Sequence, residues 1–446
     1  MLRIRPCFAS LAACMIIATS LFAADEPNRP SPEAYRRLAD QIERHWRSEV
    51  LAAWFPRAVD TENGGFYSHF LEDWSRGEMN DKTIVYQSRM TWVAAQVARR
   101  YPELGDEYLR YTRHGVEFLD RVMWDRQRGG FYWGLDEAGK ISPSYGDEKH
   151  VYGISFGIYA LAAAHEATGD KRPLKLAQQT FTWLETHAHD AVNGGYYEAL
   201  SATGEPILSP PGAGRTTDSI GTLYGYKSMN THIHMLEALS ALYHVWPDPK
   251  VEERLREVFH LVRDRIAVEP GCLNLFFTPD WRPVPDHNSF GHDVETAYLL
   301  VEAAETLGEG EDARTLAVAR SLVDHALQWG WDKTHGGFYD KGAAFATAWG
   351  TEKIWWTQAE GLNALLLMHA LFGSETSAYF DAFLKQWEFI VRHQADPKHG
   401  EWHESVSAEG RAEPGRPKAT IWKAAYHNGR ALMEVTHRLR SLAGEP

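Results

Sequence analysis

A short glycine-aromatic phrase recurs along this chain at a fixed spacing, and it constrains the fold more than any other feature. Three copies start about 65 residues apart, and a fourth lies about two such steps further on. Degenerate copies stand in the remaining places, which gives about six units of one period. A constant period of this kind indicates a repeated architecture. The copies are Gly64-Gly65-Phe66-Tyr67, Gly129-Gly130-Phe131-Tyr132, Gly194-Gly195-Tyr196-Tyr197 and Gly336-Gly337-Phe338-Tyr339, and the degenerate ones are Gly271-Cys272-Leu273 and His399-Gly400-Glu401-Trp402.

Between the glycine phrases, apolar residues recur at helical spacing. One stretch places Ile154, Ile158 and Leu161 on a single helix face. Each unit is therefore predicted to contain an outer amphipathic helix, a glycine-aromatic loop and a more apolar inner helix. The paired glycines supply the positive φ that a tight reversal of the chain requires.

Six such helix pairs predict an all-α fold, an (α/α)6 barrel with short β-hairpin or loop insertions at its rim. An open solenoid is the competing architecture, but it would need polar capping units, and the sequence shows none. No linker rich in proline, glycine or serine divides the 446 residues. We therefore expect one barrel domain over residues 30–442.

The N-terminus has the composition of a targeting segment. Two arginines within the first five residues precede an apolar run from about Phe8 to Ala24, and a polar stretch follows. This order predicts a secretory signal peptide over residues 1–24, and hence export to the periplasm or out of the cell. A lipoprotein cleavage box ending at Cys14 is the alternative, but the apolar run continues well past that cysteine.

The charge balance argues against two classes of partner. The chain has 46 basic and 60 acidic residues and a formal net charge of −14, so we expect no nucleic-acid partner and no anionic membrane partner. Aromatic residues make up 12% of the chain, a share that suits stacking against sugar rings, although core packing explains most of them. We expect a monomer or a weak dimer.

Cysteine chemistry is not expected to contribute to function. Once the predicted signal peptide is removed, Cys272 is the one remaining cysteine, and a single thiol cannot form an internal disulfide. It lies in an apolar segment typical of an interior strand or turn, so a catalytic thiol is not expected there.

The residues that begin the inner helices define the expected site. All inner helices of such a barrel run in the same direction, so their N-termini gather at one rim and enclose one pocket. His292 and His427 begin two of these helices, where the helix dipole disfavours the imidazolium, and a neutral imidazole can accept a proton near neutral pH. Two such groups on different helices predict acid-base work on one substrate. The remaining members of this set are Arg89, Tyr152, Asn230, His232, His234, Glu295, Trp356, Glu360 and Trp422.

Two other uses of this rim compete with acid-base catalysis. A metal site could combine His292 and Glu295, an i, i+3 pair, with His232 or His234. Residues two apart on a helix face different ways, so only one of those two histidines should point inward, and we expect no catalytic metal. A glycoside hydrolase would need two carboxylates across one glycosidic bond. Glu295 and Glu360 could supply them, but histidines dominate the rim.

At these positions the chain resembles the N-acylglucosamine 2-epimerase family, and most closely its cellobiose 2-epimerase branch. The resemblance extends from about Tyr35 to Leu442, and the family's (α/α)6 barrel agrees with the fold predicted from the repeat. Four segments carry it, in an order and spacing that are hard to obtain by chance. They are Met229-Asn230-Thr231-His232-Ile233-His234, His292-Asp293-Val294-Glu295, Trp355-Trp356-Thr357-Gln358-Ala359-Glu360 and Trp422-Lys423-Ala424-Ala425-Tyr426-His427-Asn428.

The resemblance implies a sugar 2-epimerase that interconverts glucose and mannose at the reducing end of β-1,4-linked disaccharides such as cellobiose, with neither nicotinamide nor metal. The acid-base pair of the family would fall on His292 and His427. Its arginine beside the C1 and C2 oxygens would fall on Arg89, and His234 would assist ring opening. The expected substrate-binding residues are Asn230, Glu295, Trp356, Trp422 and Tyr152.

The expected chemistry begins with removal of the C2 proton from the open-chain aldehyde. This step gives a cis-enediolate, whose developing oxyanion Arg89 would stabilise. Return of a proton to the other face of C2 gives the epimer, whereas return to C1 gives a ketose. An aldose-ketose isomerase or an N-acylglucosamine 2-epimerase is therefore the alternative on the same pocket, an (α/α)6 glycoside hydrolase the alternative from another class, and a carbohydrate-binding protein the outsider.

The chain departs from the family pattern in two respects. Cellobiose 2-epimerases are commonly cytoplasmic, whereas this chain begins like an exported protein. In addition, the segment Trp422-Lys423-Ala424-Ala425 lacks the Cys-Pro often found before the Tyr-His-Asn triplet. This difference is expected to alter the packing behind His427 rather than its chemistry.

Overall fold

The computed structural model describes residues 30–212 and 214–445, so the predicted signal peptide lies outside the described residues. Long helices alternate along the chain between an outer and an inner set, numbered below in chain order. The six outer helices among the described residues are Pro32–His45, Gly105–Phe118, Lys171–His187, Pro249–Leu261, Ala313–Trp329 and Ala378–Phe389. The six inner helices are Ile84–Arg100, Val151–Thr168, Met229–Val245, Phe290–Thr306, Trp355–Phe372 and Tyr426–Leu442.

The inner helices form a closed ring. Each packs against the next, and the sixth packs against the first. Each inner helix also packs on the outer helix that follows it, and the sixth packs on the first outer helix. The chain therefore closes on itself, and the prediction of an (α/α)6 barrel is confirmed.

Burial separates the two sets as the sequence pattern predicts. The first inner helix is buried on all sides from Ile84 to Val97. The third outer helix buries one face, which includes Leu176, Phe181 and Leu184, as an amphipathic surface helix does. No described helix combines the length and the apolarity needed to cross a membrane.

Short irregular helices complete the outer layer. Four outer helices run into a π-helical turn, at Trp46–Leu51, Leu119–Met123, Val262–Ile266 and Ile390–Gln394. A further short α-helix, Ala52–Trp54, follows the first of these turns, and a 3-10 turn at Pro102–Leu104 links the first inner helix to the second outer helix.

The glycine-aromatic phrases are the loops between outer and inner helices. In the first copy, Gly64 and Gly65 have φ of +81° and +69°, which confirms the predicted left-handed reversal. A Cβ on Gly65 would stand 2.5 Å from Oε1 of Gln87, so that position also lacks room for a side chain. The aromatic residue that follows, Phe66, is fully buried and bridges to Val59.

A belt of very short strands ties each unit to the next at the rim. The strand that enters an inner helix pairs antiparallel with a strand of the following unit, and the last unit closes onto the first through a bridge between Phe70 and Ala419. The pairs are Lys82–Thr83 with Gly134–Leu135, Lys149–His150 with Ala199–Leu200, Lys227–Ser228 with Phe276–Phe277, Asn288–Ser289 with Lys341–Gly342, and Lys353–Ile354 with Ser405–Val406. The remaining strands are Ala267–Val268, Cys272–Leu273, Pro283–Val284 and Ala348–Gly350.

A buried lysine-aspartate pair, which the sequence reading missed, recurs behind this belt. In the first unit Nζ of Lys82 donates to Asp60 at 2.6 Å and to the carbonyl of Gly64 at 2.6 Å, and both side chains are fully buried. The lysine precedes the inner helix and the aspartate precedes the glycine phrase by four residues. The equivalent pairs in the described residues are Lys149 with Asp125, Lys227 with Asp190, Lys353 with Asp332, and Lys418 with Asp396.

Removal of one member of such a pair is expected to destabilise the barrel. Asp60→Asn should leave the Lys82 ammonium buried without its counter-charge, and breaking a buried pair costs about 3–5 kcal/mol. Urea unfolding followed by circular dichroism measures the change in the free energy of unfolding. Glu117→Gln is the control, because it breaks an exposed pair with Arg121 and should change stability little. Equal stabilities of the two variants would contradict the expectation.

Candidate active site

The N-terminal ends of the inner helices enclose a cavity of about 270 Å³. All nine residues predicted from the sequence as catalytic or substrate-binding line it, and two further residues, Ile220 and Trp355, complete its wall. The common direction of the inner helices therefore brings the predicted set together. The nine are Arg89, Tyr152, Asn230, His234, His292, Glu295, Trp356, Trp422 and His427.

Arg89 brings a positive charge to this cavity from the first inner helix. Its Nη1 donates to the carbonyl of Trp422 at 3.0 Å, and its Nη2 donates to the Tyr152 hydroxyl at 3.2 Å. The guanidinium also lies 4.5 Å from the centre of the Phe156 ring. Among the described residues, no carboxylate forms an ion pair with Arg89, so its buried charge is available to stabilise an anion.

His427 is held by a carboxylate behind it. Its Nδ1 hydrogen-bonds Glu360, which also accepts a hydrogen bond of 2.7 Å from the Tyr298 hydroxyl. Because a carboxylate accepts, Nδ1 carries the hydrogen and Nε2 keeps its lone pair. Burial, reinforced by the nearby charge of Arg89, holds the pKa of His427 well below its usual value. The imidazole is therefore neutral at neutral pH and can act as a base.

His234 has the same arrangement on the third inner helix. Its Nδ1 lies 3.0 Å from Oε2 of Glu237, so its Nε2 is also an acceptor. Burial alone would raise the pKa of Glu237, but the charge of Arg430 and the contacts with His234 and Tyr426 together outweigh it and lower that pKa to about 2. Glu237 thus remains ionised and fixes the tautomer of His234.

His292 differs, because a hydroxyl stands behind it. Its Nδ1 lies 2.7 Å from Oγ of Ser289, and a hydroxyl can donate or accept, so either ring nitrogen can carry the hydrogen. Burial lowers the pKa of His292 to about 4. The ring centres of His292 and His427 lie 4.8 Å and 5.8 Å from that of Trp356, so the two imidazoles approach one aromatic wall.

Arg430, which the sequence did not predict as a site residue, connects the carboxylates that lie behind the histidines. Its Nη1 donates to Glu237, and its Nη2 donates to Glu295 at 2.6 Å and to Glu360 at 2.8 Å. All four side chains are nearly fully buried. We call these four residues the Arg430 cluster. Arg430 follows His427 by three residues on one helix, so the i, i+3 spacing was the available clue.

The Arg430 cluster argues against the hydrolase alternative. Glu295 and Glu360 both accept from the same guanidinium nitrogen of Arg430. They therefore do not face each other across a space open to a glycosidic bond, as a hydrolase pair must. Their contacts are those of groups that orient Arg430 and His427.

Among the residues that the structure describes, two groups of side chains have a composition suited to a metal, but their donor atoms already take part in other contacts. Glu295, Glu360 and His427 form one group, in which a cation would oppose the Arg430 guanidinium. His150, Glu198 and Asp218 form the other. The side chains of this second group bind one another and their neighbours: Nδ1 of His150 accepts from the Tyr152 amide, Nε2 donates to Asp218 at 3.0 Å, and Glu198 accepts from Ser228 and Thr231.

His232 and Cys272 have structural roles. Nδ1 of His232 bonds the carbonyl of Ser228 at 2.7 Å, and Nε2 accepts from the amide of Tyr196 at 3.0 Å. Only His234 of the two neighbouring histidines therefore lines the cavity, as predicted from their i, i+2 spacing. Burial raises the pKa of the Cys272 thiol to about 12, which disfavours the nucleophilic thiolate.

The remaining lining residues offer apolar and polar contacts to a ligand. Trp355, Trp356 and Trp422 provide aromatic surface. Oδ1 of Asn230 is buried and has no hydrogen-bond partner among the described residues, which leaves it available to a ligand hydroxyl. Aromatic walls with scattered polar groups are the usual composition of a small-molecule site.

Known proteins resemble the chain over nearly its whole length. The sequence model of one family, N-acylglucosamine 2-epimerase (GlcNAc 2-epimerase), matches residues 64–431. A cellobiose 2-epimerase of Bacteroides fragilis is 32% identical over 401 residues, covering 89% of this chain and 98% of that protein. A cellobiose 2-epimerase of Ruminococcus albus is 30% identical over 414 residues, covering 90% and 99%. The structure of cellobiose 2-epimerase from Spirochaeta thermophila superposes with a TM-score of 0.81 at 32% identity, covering 92% of this chain and 98% of that one.

The Arg430 cluster is expected to set the protonation of His427. Arg430→Gln removes a positive charge that lowers the pKa of His427, so that pKa should rise. NMR titration of labelled histidines measures the shift. Arg438→Gln is the matched control, because Arg438 lies on the same helix and binds Glu302 instead. An unchanged His427 pKa in Arg430→Gln would contradict the assignment.

Proposed function

This chain belongs to the N-acylglucosamine 2-epimerase family and is a sugar 2-epimerase, and on this premise we propose the substrate and the catalytic residues. The proposed reaction interconverts glucose and mannose at the reducing end of a β-1,4-linked disaccharide of the cellobiose type. The names of the relatives support this substrate class. Three imidazoles that line one cavity with the Arg89 guanidinium carry the catalytic part of the proposal.

Opening of the sugar ring comes first. The C1 hydroxyl must lose a proton while the ring oxygen gains one, and His234 is the proposed group for this exchange. Its Nε2 accepts, because Nδ1 is held by Glu237. The resulting aldehyde acidifies the C2 proton, which makes the next step accessible to a neutral imidazole.

Proton removal at C2 is assigned to His427 in one direction of the reaction. Its Nε2 takes the proton, and Glu360 then stabilises the imidazolium through Nδ1, as a buried carboxylate does behind a catalytic histidine. Arg89 stabilises the oxyanion of the cis-enediolate, since its charge has no carboxylate partner among the described residues.

Return of the proton is assigned to His292. Ser289 can donate to Nδ1 of His292, and Nε2 then carries the hydrogen that C2 needs. As Nε2 gives up this hydrogen, Nδ1 takes the hydroxyl proton of Ser289, and the proton that His427 removed returns through solvent to Ser289, so the site is reset. In the reverse direction the hydroxyl accepts instead, and His292 becomes the base. Because the Ser289 hydroxyl can either donate or accept, His292 can act as acid in one direction and as base in the other.

Substrate binding is assigned to the remaining lining residues. Trp356 and Trp422 would stack on the sugar, and Asn230, Glu295 and Tyr152 would bind its hydroxyls.

Incubation with cellobiose in heavy water tests the proposal. We expect 4-O-glucosyl-mannose that carries deuterium at C2, detected by NMR and mass spectrometry. A ketose product would instead indicate an aldose-ketose isomerase, and free glucose a hydrolase. His292→Ala and His427→Ala should each lower the exchange by about 10²–10⁴-fold, the range for loss of a general acid or base.

His244→Ala is the matched control for these variants, because His244 lies on the third inner helix with an exposed side chain at its far end. It should retain wild-type exchange. Normal C2 exchange in His292→Ala or in His427→Ala would remove that residue from the acid-base pair.

The pH dependence of kcat/KM is expected to reflect buried histidines. A base acts when it is deprotonated, and the pKa of His292 is lowered to about 4. In the direction in which His292 is the base, activity should therefore persist well below the ordinary imidazole pKa of about 6.5. It should fall as the pH drops through the region of pH 4. Circular dichroism at each pH separates this loss from unfolding. An acid limb centred between about pH 6 and 7 would contradict neutral buried histidines.

A further inference from the structure

The sixth glycine-aromatic loop lacks the second glycine that the four complete copies share. Glu401 occupies the place of the second glycine, and its φ is +63°, in the left-handed region that disfavours a side chain. Its carbonyl accepts from the amide of Asp396 at 2.8 Å, as that of Gly65 accepts from Asp60 at 3.0 Å. The turn is therefore the same, although the residue is a fully buried glutamate.

The inner helices explain why the first, third and fifth loops have no room for a side chain at this place. In the first, third and fifth units, the fourth residue of the inner helix reaches back to the loop and bonds the amide after the second glycine. A Cβ on that glycine would stand between 2.5 Å and 2.9 Å from the reaching atom. In the sixth inner helix the fourth residue is Gly429, which has no side chain to reach back to the loop. The contact is instead made by the loop residue Glu401, which accepts from Asn428 of that helix.

The Glu401 side chain binds both flanks of one catalytic segment. One oxygen accepts from the Lys423 ammonium and the other accepts from Nδ2 of Asn428 at 2.5 Å. Lys423 follows Trp422, and Asn428 follows His427. Glu401, Lys423 and Asn428 are all fully buried, so solvent does not compete for these contacts.

Lys423 fixes the turn that carries Trp422. Its ammonium also donates to the carbonyl of Lys418 at 3.0 Å. The backbone amides of Trp422 and Lys423 both donate to Oγ1 of Thr420. The carbonyl of Trp422, the residue before Lys423, accepts the 3.0 Å hydrogen bond from Arg89. Movement of Lys423 would therefore displace the Trp422 wall and a partner of Arg89 together.

We propose that Glu401 is a positioning residue, which clamps residues 422–428 through Lys423 and Asn428 and so sets the places of Trp422 and His427 in the pocket. This inference rests on the proposed function of those two residues. A buried ion pair and a left-handed backbone at a residue with a side chain each cost free energy of folding. The contacts of Glu401 with residues next to Trp422 and His427 give a functional reason for keeping both.

Two variants distinguish an effect of Glu401 on the positions of Trp422 and His427 from an effect on the stability of the fold. Glu401→Gly restores the glycine of the other loops but leaves the Lys423 charge buried alone. Glu401→Gly/Lys423→Met removes both charges and relieves the backbone, so it should regain the melting temperature of the wild type. We expect both variants to lose C2 exchange by about 100-fold, the effect of a displacement near 1 Å, with weaker cellobiose binding by calorimetry. Glu401→Gln should recover part of the activity, because its amide oxygen can still accept from Lys423, whereas its amide nitrogen cannot accept from Nδ2 of Asn428.

Asp60→Asn is the matched control, since it breaks a buried pair at the first loop, away from the lining residues. It should lower the melting temperature yet keep KM and kcat near their wild-type values. Wild-type exchange and binding in the double variant would overturn the clamp. Absence of exchange in the wild type would refute the epimerase proposal instead, while weakened sugar binding in Glu401→Gly/Lys423→Met would still support the clamp.

Discussion

The site depends on one guanidinium at the centre of the barrel. Glu237, Glu295 and Glu360 come from three consecutive inner helices, and Arg430 from a fourth satisfies all of them. Buried carboxylates without such a partner would take up protons, and a protonated Glu360 would no longer fix Nδ1–H of His427. The charge of Arg430 therefore helps to maintain the histidine tautomers on which the proposed base catalysis depends. It also joins four helices, so the packing of the barrel and the state of its histidines are linked.

Much of the fold could be predicted because local rules generate it. The recurring glycines need left-handed backbone, and the apolar spacing between them is helical, so loops and helices follow from short stretches of sequence. The rim strands could not be predicted in the same way, since two residues are too few to show alternation. The buried pairs such as Lys82 with Asp60 were missed for another reason: each member, taken singly, reads as an ordinary surface charge, and only their common place in the repeat relates them.

The sequence predicted the site residues at the rim of the barrel but not the charged residues buried beneath them. Residues at the starts of the inner helices, such as Arg89 and His292, share a position in the repeat, and a closed barrel must bring them together. Glu237 and Arg430 lie one turn further in, within stretches that read as core. The two residues lie on different helices and 193 residues apart in the chain, so only the folded structure shows that their charges compensate each other.

The repeat is broken where the proposed acid-base histidines enter the pocket. Five units keep the buried lysine-aspartate pair, but the fourth has Asn288 in place of the lysine, bound to Asp293 at 2.8 Å, and His292 follows. The sixth unit replaces its second glycine by Glu401, and His427 follows. Proteins depart from local structural rules mainly at functional sites, where the cost is offset elsewhere. The regular units hold the barrel, and the two irregular ones adapt its rim to the histidines, so irregularity within the period is itself a guide to the chemistry.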